Sequence, residues 1–537
     1  CQGRLDQVVP LEPASMPGRV VVQWDKEDCC DLGIVKVDLL GLGMMAVLEE
    51  SLTLIRDHWG QELDLGRLPA NDPQVYSALQ KADTIGLFQV ESRAQQASLP
   101  RMKPTHFYDL VVQVAIIRPG PIVGKMVHPY LARRQGREKV ECLHPLLEPV
   151  LARTLGVPLF QEQLLRIAMV AANFTGGEAE ELRRALGAKR SKQRMKEVEV
   201  KLRAGMTQNG IMGAVQDTIV QSITSFALYG FPESHAASFA LLAYASAYLK
   251  THYLDAFTCA LLNNQPMGFY HPAVLIKDAQ RHGLRVLPVD VLRSDWNCSI
   301  EDHALRLGLR YARGLRAEAG QAIVAERSVQ AFRDIDDLAR RVPPLRADEM
   351  KRLAEIGALN CLDAQHRRDA LWQSGRATRP VGPLLAEIPE HQPESPLLPM
   401  RLDERVTADY RGTGVTIGRH PMAYRREQMN ALGVTPARDL ARIPAGGLVR
   451  IAGNVIVRQR PGTAKGIVFL SIEDETGICN AVIMPDLFQT QRMQILTNAW
   501  LLVEGKLQNV DGVIHILARK VDGLESPTEA APSHDFH

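Results

Sequence analysis

A multidomain α+β protein is what this sequence predicts, and three observations predict it. The chain is 537 residues long, its apolar residues recur at helical spacing through most of residues 44–300, and from Gly447 they switch to alternation with period two. A single hydrophobic core stops growing at roughly 250–300 residues, so three or more domains are expected. Apolar residues make up 46% and charged residues 23% of the chain, a balance too apolar for a disordered protein.

Composition also excludes some classes. No run of about 18 apolar residues exists to span a bilayer and no charged-then-apolar leader opens the chain, so no membrane role is expected. Eight cysteines, among them Cys29 and Cys30, show no C-x-x-C pair and no zinc-ligand spacing, which suits reduced thiols and a cytoplasmic location. The net charge is +2, so any basic surface must be local and balanced by acidic faces. The chain opens on Cys1 with no turn or cap that would begin a domain, and a fragment cut upstream is expected.

Along the chain, Gly33-Ile34-Val35-Lys36-Val37-Asp38-Leu39-Leu40 reads as a short buried strand enclosing two charges. Helical spacing covers 44–57, 160–172, 195–225 and 236–263, punctuated by Arg118-Pro119-Gly120-Pro121. Residues 305–362 carry two similar hairpins, around Tyr311-Ala312-Arg313-Gly314-Leu315 and Glu355-Ile356-Gly357-Ala358-Leu359, an internal repeat. The Pro-, Glu- and Leu-rich stretch 376–411 lacks periodicity and reads as a linker. From 447 onward five strand-like segments with turns between them predict an OB-type β-barrel, and 525–537 reads as a loose tail.

Several residues carry chemistry. An ionised Asp beside a Lys in an apolar strand is costly to bury uncompensated. Asp38 therefore reads either as a ligand for a divalent cation or as a simple ion pair with Lys36. Arg183, Arg184 and Lys189, with Arg190, Lys192, Arg194 and Lys196 following, lie on and after a helix starting near Glu178. They can surround a triphosphate, since guanidinium binds phosphate bidentately and ammonium acts as a point charge, or they form a solvated basic face. His235 precedes a long helix of small residues and reads as a cap, a core hydrogen-bond partner or a nucleotide contact. Gly314 and Gly357 fit a tandem helix-hairpin-helix, in which glycine lets amide groups approach phosphates without reading sequence. Such hairpins also serve as core packing. The barrel offers single strands only Phe469, Phe488 and Trp500 for stacking.

The strings GIVKVDLLGL (33–42), GLFQVES (86–92), IIRPGP (116–121), FQEQLLRIA (160–168), ELRRALGAKR (181–190) and YGFPESHAASFALLAYASAYLKTHY (229–253), in that order, together resemble the C-family bacterial DNA polymerases, the DNA polymerase III alpha subunit family. The absence of a clamp-type hexapeptide and the ending DFH resemble its error-prone, damage-inducible paralogue. The resemblance implies a remnant of a palm sheet (1–45), large helical fingers (46–300), tandem helix-hairpin-helix (301–365), a linker region (366–446), an OB fold (447–524) and a tail (525–537). It implies template-directed synthesis from dNTP on primer-template DNA, with two Mg²⁺ ions. Asp38 would be one catalytic metal-binding carboxylate and Lys36 its charged neighbour, the family's other two carboxylates lying in an earlier Asp-x-Asp motif that is not in this sequence. Arg183, Arg184, Lys189, Arg118 and His235 would face the nucleotide; Arg190, Lys192, Arg313, Gly314 and Gly357 would face DNA. A sliding clamp and accessory mutagenesis proteins are the implied partners, with Gln392–Leu398 only a loose match to a clamp motif. Two other classes compete: a non-catalytic DNA-binding module or scaffold, which leaves Asp38 and the arginines without a task, and another OB-containing enzyme such as a synthetase or ligase, for which no HIGH, KMSKS or K-x-D-G string is present.

Overall fold

The computed structural model describes residues 4–14, 19–24, 26–35, 39–117, 127–187, 192–226, 231–362, 364–378, 395–461, 464–525 and 533–536. The chain divides into two units, Cys1–Gly43 and Met44–His537. In the first, Leu11–Pro13 pairs antiparallel with Val20–Val22, and a short helix follows at Lys26–Asp31. The run expected to form a buried strand differs in its described flanks. Gly33 turns the chain at φ +69°, and Val35 and Leu39 are 82% and 66% exposed. A continuous apolar run is buried only where neighbouring strands cover it, and the described strands here pair with each other. Lys36 and Asp38 lie outside the described residues.

The second unit begins with helices whose ends the sequence specifies. We label them α1 (Leu42–Trp59), α2 (Pro73–Gln80), α3 (Arg93–Met102), α4 (Phe107–Ile116), α5 (Gln161–Ala172), α6 (Gly176–Gly187), α7 (Lys192–Gln208), α8 (Gly213–Phe226), α9 (Glu233–His252), α10 (Leu254–Asn263) and α11 (Pro272–Arg281). Asp72 caps α2 by accepting from Gln74 N and Val75 N, with Pro73 at the first helical position. His106 and Asp109 form a capping box on α4. Down the centre runs α9, where Ala236, Ala240, Ala243 and Ala247 are buried and their small side chains let α4 pack close.

Two long periodic stretches prove to be four helices. The 195–225 pattern breaks after α7, where Gly210 takes φ +75° and Gly213 φ +65°, and the 236–263 pattern breaks at Tyr253, whose φ −138° and ψ 55° are not helical. A three-stranded sheet of Val286–Leu287, Ala304–Arg306 and Ser299–Glu301 follows. Strands of two or three residues are too short to show a period.

Helices α12 (Ala317–Val329), α13 (Ile335–Arg341), α14 (Ala347–Ile356) and α15 (Arg367–Ala377) carry the hairpins. The region expected to be a linker is a correction: it holds α15 and α16 (Leu402–Thr413), and Val406 and Tyr410 of α16 are buried in the main core. This helix braces both hairpins. Gly412 O accepts from Arg313 N at 2.7 Å, and Asp409 accepts from Arg367 Nη1 at 2.7 Å. A Cβ at Gly412 would stand 2.2 Å from Ile356 Cγ2. Gly412→Leu is therefore expected to overpack this contact and cost about 1–3 kcal/mol, read as a lower urea midpoint with earlier proteolytic cleavage near 413.

The barrel strands are β1 (Leu448–Gln459), β2 (Val468–Glu473), β3 (Ile478–Ile483), β4 (Trp500–Val510) and β5 (Val513–Gly523). β1 pairs with β2 through its second half and with β4 through its first, and β5 joins β3 in parallel (Ile516 opposite Ala481), which closes the sheet. A strand serving two neighbours must bend. It does so at a bulge between Val455 and Val457 and beside Gly453, where a Cβ would fall 2.2 Å from Glu473 O. Ile451, Leu470, Ile472, Ala481, Leu501, Val503, Leu507, Ile516 and Val521 fill the interior. The OB-type barrel expected from period-two alternation is thus present. Strand His534–Phe536 adds in parallel to β1, where a loose tail was expected. Among the described residues no helix is long and apolar enough to cross a membrane.

Candidate nucleic-acid interface

The described backbone of the basic cluster lies on two helices packed against α5. Thr175 and Glu178 cap α6, Thr175 N donating to Glu178 Oε2 at 2.7 Å, and Lys201 of α7 pairs with Glu178. That pairing ties α6 to α7. Arg183 and Arg184 sit on α6 and Lys192 opens α7; the side chains of all three, and the whole of Arg118, Lys189 and Arg190, lie outside the described residues. His235 is in the first turn of α9, its ring 4.1 Å from that of Phe239 and 5.0 Å from that of Phe231. Aromatic packing holds it there.

The hairpin residues form a second group, around α16. Gly314 is exposed at φ +87°, and a Cβ there would meet nothing within 4 Å, so backbone can approach a ligand at this point. Gly357 ends α14 in the left-handed conformation, and its N–H caps Ala354 O. Arg313 Nη1 donates to Tyr410 O at 3.3 Å, so its side chain already serves the brace.

One acidic cluster was not foreseen. Asp83, Asp278 and His282 place ligand-type atoms within 4.8 Å of one another. Their cation is already supplied by the protein: Lys250 Nζ donates to Asp83 Oδ1 (2.9 Å), Asp278 Oδ2 (2.8 Å) and Ile85 O (3.0 Å). Burial opposes the charge on Lys250, but Asp278 and Asp83 outweigh it and raise its pKa. Burial also works to raise Asp83, yet the His282 ring and Lys250 hold it far below the usual carboxylate range. A hard Mg²⁺ ion prefers oxygen ligands and retained water, which this lysine-filled knot does not offer. The group does not fit there.

The barrel presents a different surface. In OB folds, strands 2 and 3 and the loops 1–2 and 4–5 take oligonucleotides. That face here bears Phe469, Asn480 and Val482, with Pro461 and Gly512 from the two loops, and it looks across a cavity of about 600 Å³ at α3. Arg93, Ala97 and Arg101 recur every four residues and so share the face of α3 that lines the cavity, while Gln95, Leu99 and Met102 face the core. The Arg93 guanidinium lies 4.3 Å from the Phe469 ring centroid. Burial lowers its pKa to about 10. Arg137 pairs with Asp511 in the β4–β5 loop, and Arg281 donates to buried Glu473 of β2 at 2.7 Å, so both ends of the barrel are tied down. Of the three foreseen stacking residues only Phe469 borders the cavity; Phe488 and Trp500 are 6% and 2% exposed. The four-residue arginine spacing on α3 was visible in the sequence, but nothing there showed that a strand some 370 residues later would face it.

Comparison with known proteins adds independent findings. The family model for the bacterial DNA polymerase III alpha subunit finger domain matches residues 44–210, and that for the bacterial DNA polymerase III alpha NTPase domain matches 1–41. A helix-hairpin-helix motif matches 283–370 and an OB-fold nucleic acid binding domain matches 449–522. The chain is 47% identical to the error-prone DNA polymerase of Anaeromyxobacter sp. (strain K), over 99% of its own length and 49% of the relative's. It is 48% identical to that of Bordetella bronchiseptica, over 100% and 52%, and 46% identical to that of Alkalilimnicola ehrlichii, over 100% and 53%. The chain spans about half the length of the curated relatives it matches.

Proposed function

Because the chain belongs to the bacterial DNA polymerase III alpha family and matches its error-prone members, we propose that it takes part in template-directed DNA synthesis. The reaction is nucleotidyl transfer from a dNTP to a primer 3′ end, in error-prone synthesis past DNA damage in the cytoplasm. The observation that carries the reading is the sustained identity, 47% over 99% of the chain. The fingers helices, paired hairpins and closed barrel, each a unit that grips nucleic acid in its own way, support it.

The roles divide along the chain. Arg183, Arg184 and Lys189, with Arg118 and His235, bind the triphosphate. Arg190, Lys192, Arg313, Gly314 and Gly357 hold DNA phosphates without reading bases. Lys36 and Asp38 belong to the catalytic centre. Two bound Mg²⁺ ions would stabilise the attacking oxygen and the leaving pyrophosphate, with Asp38 as one ligand and the remaining carboxylates in the half of the relatives that this chain does not span. A sliding clamp and accessory mutagenesis proteins are the proposed partners. Ser395-Pro396-Leu397-Leu398 is the described part of the loose clamp match, and Leu398 is 78% exposed.

The test is primer extension together with DNA binding by these 537 residues. With Mg²⁺, no extension is expected, because one carboxylate cannot hold two ions. Primer-template DNA should still bind, with affinity falling steeply between about 50 and 200 mM salt. Extension at the rate of a full-length relative would overturn the division of the catalytic centre. Salt-indifferent DNA binding would overturn the phosphate-gripping roles.

A further inference from the structure

We propose that the cleft between α3 and the barrel holds a phosphate of single-stranded DNA, with Arg93 and Arg101 as its ligands. In this arrangement α3 is the second wall of the barrel's strand-binding groove. The inference rests on the reading of the barrel as a single-strand-binding module.

The first observation is two guanidinium nitrogens without a partner. Arg93 Nη1 and Arg101 Nε are both shut off from solvent with no hydrogen-bond partner. Elsewhere among the described residues the most enclosed arginines are paired with acids: Arg306 with Glu301, Arg367 with Asp409, Arg426 with Glu475. Of the nearby acids, Asp83 is held by Lys250 and His282, and Asp511, which also feels the charge of Arg101, is paired with Arg137. A guanidinium enclosed without an anion is costly, and a phosphate oxygen is the acceptor that its fork geometry fits.

The second observation is where these cations point. They line the same cavity as the barrel face through which OB folds take oligonucleotides, and they enter it from outside the barrel. The walls suit a nucleotide better than a bare anion. Phe469 and Val482 give an apolar side for a base, Gln96 and Asn480 give amide groups, and Arg93 already lies on the Phe469 ring as a stacked base would. A volume of about 600 Å³ is in the range that encloses a drug-sized ligand. Lys81 adds a third positive charge at the rim.

A labelled oligothymidylate titrated against the 537-residue chain, followed by fluorescence anisotropy, tests the proposal. The variants are Arg93→Met with Arg101→Met, and separately Asn480→Ala on the barrel wall. The double methionine variant should bind about ten- to a hundredfold more weakly. Its log–log salt slope should be shallower by about 0.7, the increment for one phosphate contact on a single strand. Its melting temperature without DNA should fall only slightly, by what the Arg93 contact with the Phe469 ring contributes, since neither arginine makes a salt bridge. If the double variant binds within twofold of the unaltered chain while Asn480→Ala weakens binding, the barrel reading stands and the role of α3 is wrong. If the unaltered chain does not bind the oligonucleotide at all, both fail. Thymidine monophosphate that competes as well as the oligonucleotide at equal phosphate concentration would overturn the strand assignment in favour of a free nucleotide. A cross-link needs no variant: 5-bromouracil oligonucleotides should form adducts on peptides from both 93–101 and 469–480. Adducts confined to the barrel would overturn the proposal.

Discussion

Lys250→Ala is expected to lower stability by about 3–5 kcal/mol, the usual cost of removing one partner from a buried ion pair. The Lys250 side chain is 7% exposed, and its ammonium bridges two carboxylates and a backbone carbonyl. Without it Asp83 and Asp278 are left as like charges beside one another. The measurement is the urea midpoint of the helical unit, and a change under 1 kcal/mol would show that the knot contributes no net stability.

The same cluster has a signed dependence on pH. The hydrogen bond to Asp83 raises the His282 pKa in the folded protein. Its stabilising contribution is therefore complete below the unfolded value of about 6.5 and is lost as pH rises through the folded value. Asp83 is depressed, so its contribution is present above the unfolded carboxylate value and is lost as acid drives pH below it. In pH-dependent urea unfolding, His282→Gln should remove the alkaline part of this profile and shrink the acid part to what Lys250 alone sustains at Asp83.

In a chain that synthesises DNA, replacing Arg183 or Arg184 with alanine is expected to reduce kcat/KM for the incoming nucleotide about ten- to a hundredfold, because each charged hydrogen bond contributes about 1.5–3 kcal/mol. Lysine at either position should restore only part of this, keeping the charge and losing the bidentate fork. DNA affinity should change little. If both alanine variants kept normal nucleotide kinetics and lost DNA affinity, α6 would be a template-binding surface.

How much could be read from the residues depended on the range of the interaction. The barrel strands announce themselves locally: Leu470 and Ile472, or Leu501 and Val503, alternate inward with their neighbours and need no distant information. The four main helical stretches were visible for the same reason, and their breaks at Gly210 and Tyr253 were missed because a single turn residue hardly disturbs a long period. Helix α16 was missed because its buried positions, Val406, Tyr410 and Gly412, lie among charged residues and acquire meaning only against Ile356 and Arg313. The candidate site divides likewise. Arg313, Gly314 and Gly357 were singled out from the hairpin repeat, whereas Arg93 over Phe469 joins residues 376 positions apart, and no local pattern encodes such a pair.

The brace that α16 supplies also sets an order of events at the ribosome. Gly412 lies 56 residues after Ile356, the side chain it covers. At a synthesis rate of roughly 5–20 residues per second, Ile356 waits about 3–11 s before its cover is made. During that interval Ile356 is uncovered on this side and Arg313 and Arg367 lack their α16 acceptors. Expression of residues 283–370 alone would make the interval permanent, so a soluble version of the hairpin pair must extend through Val415.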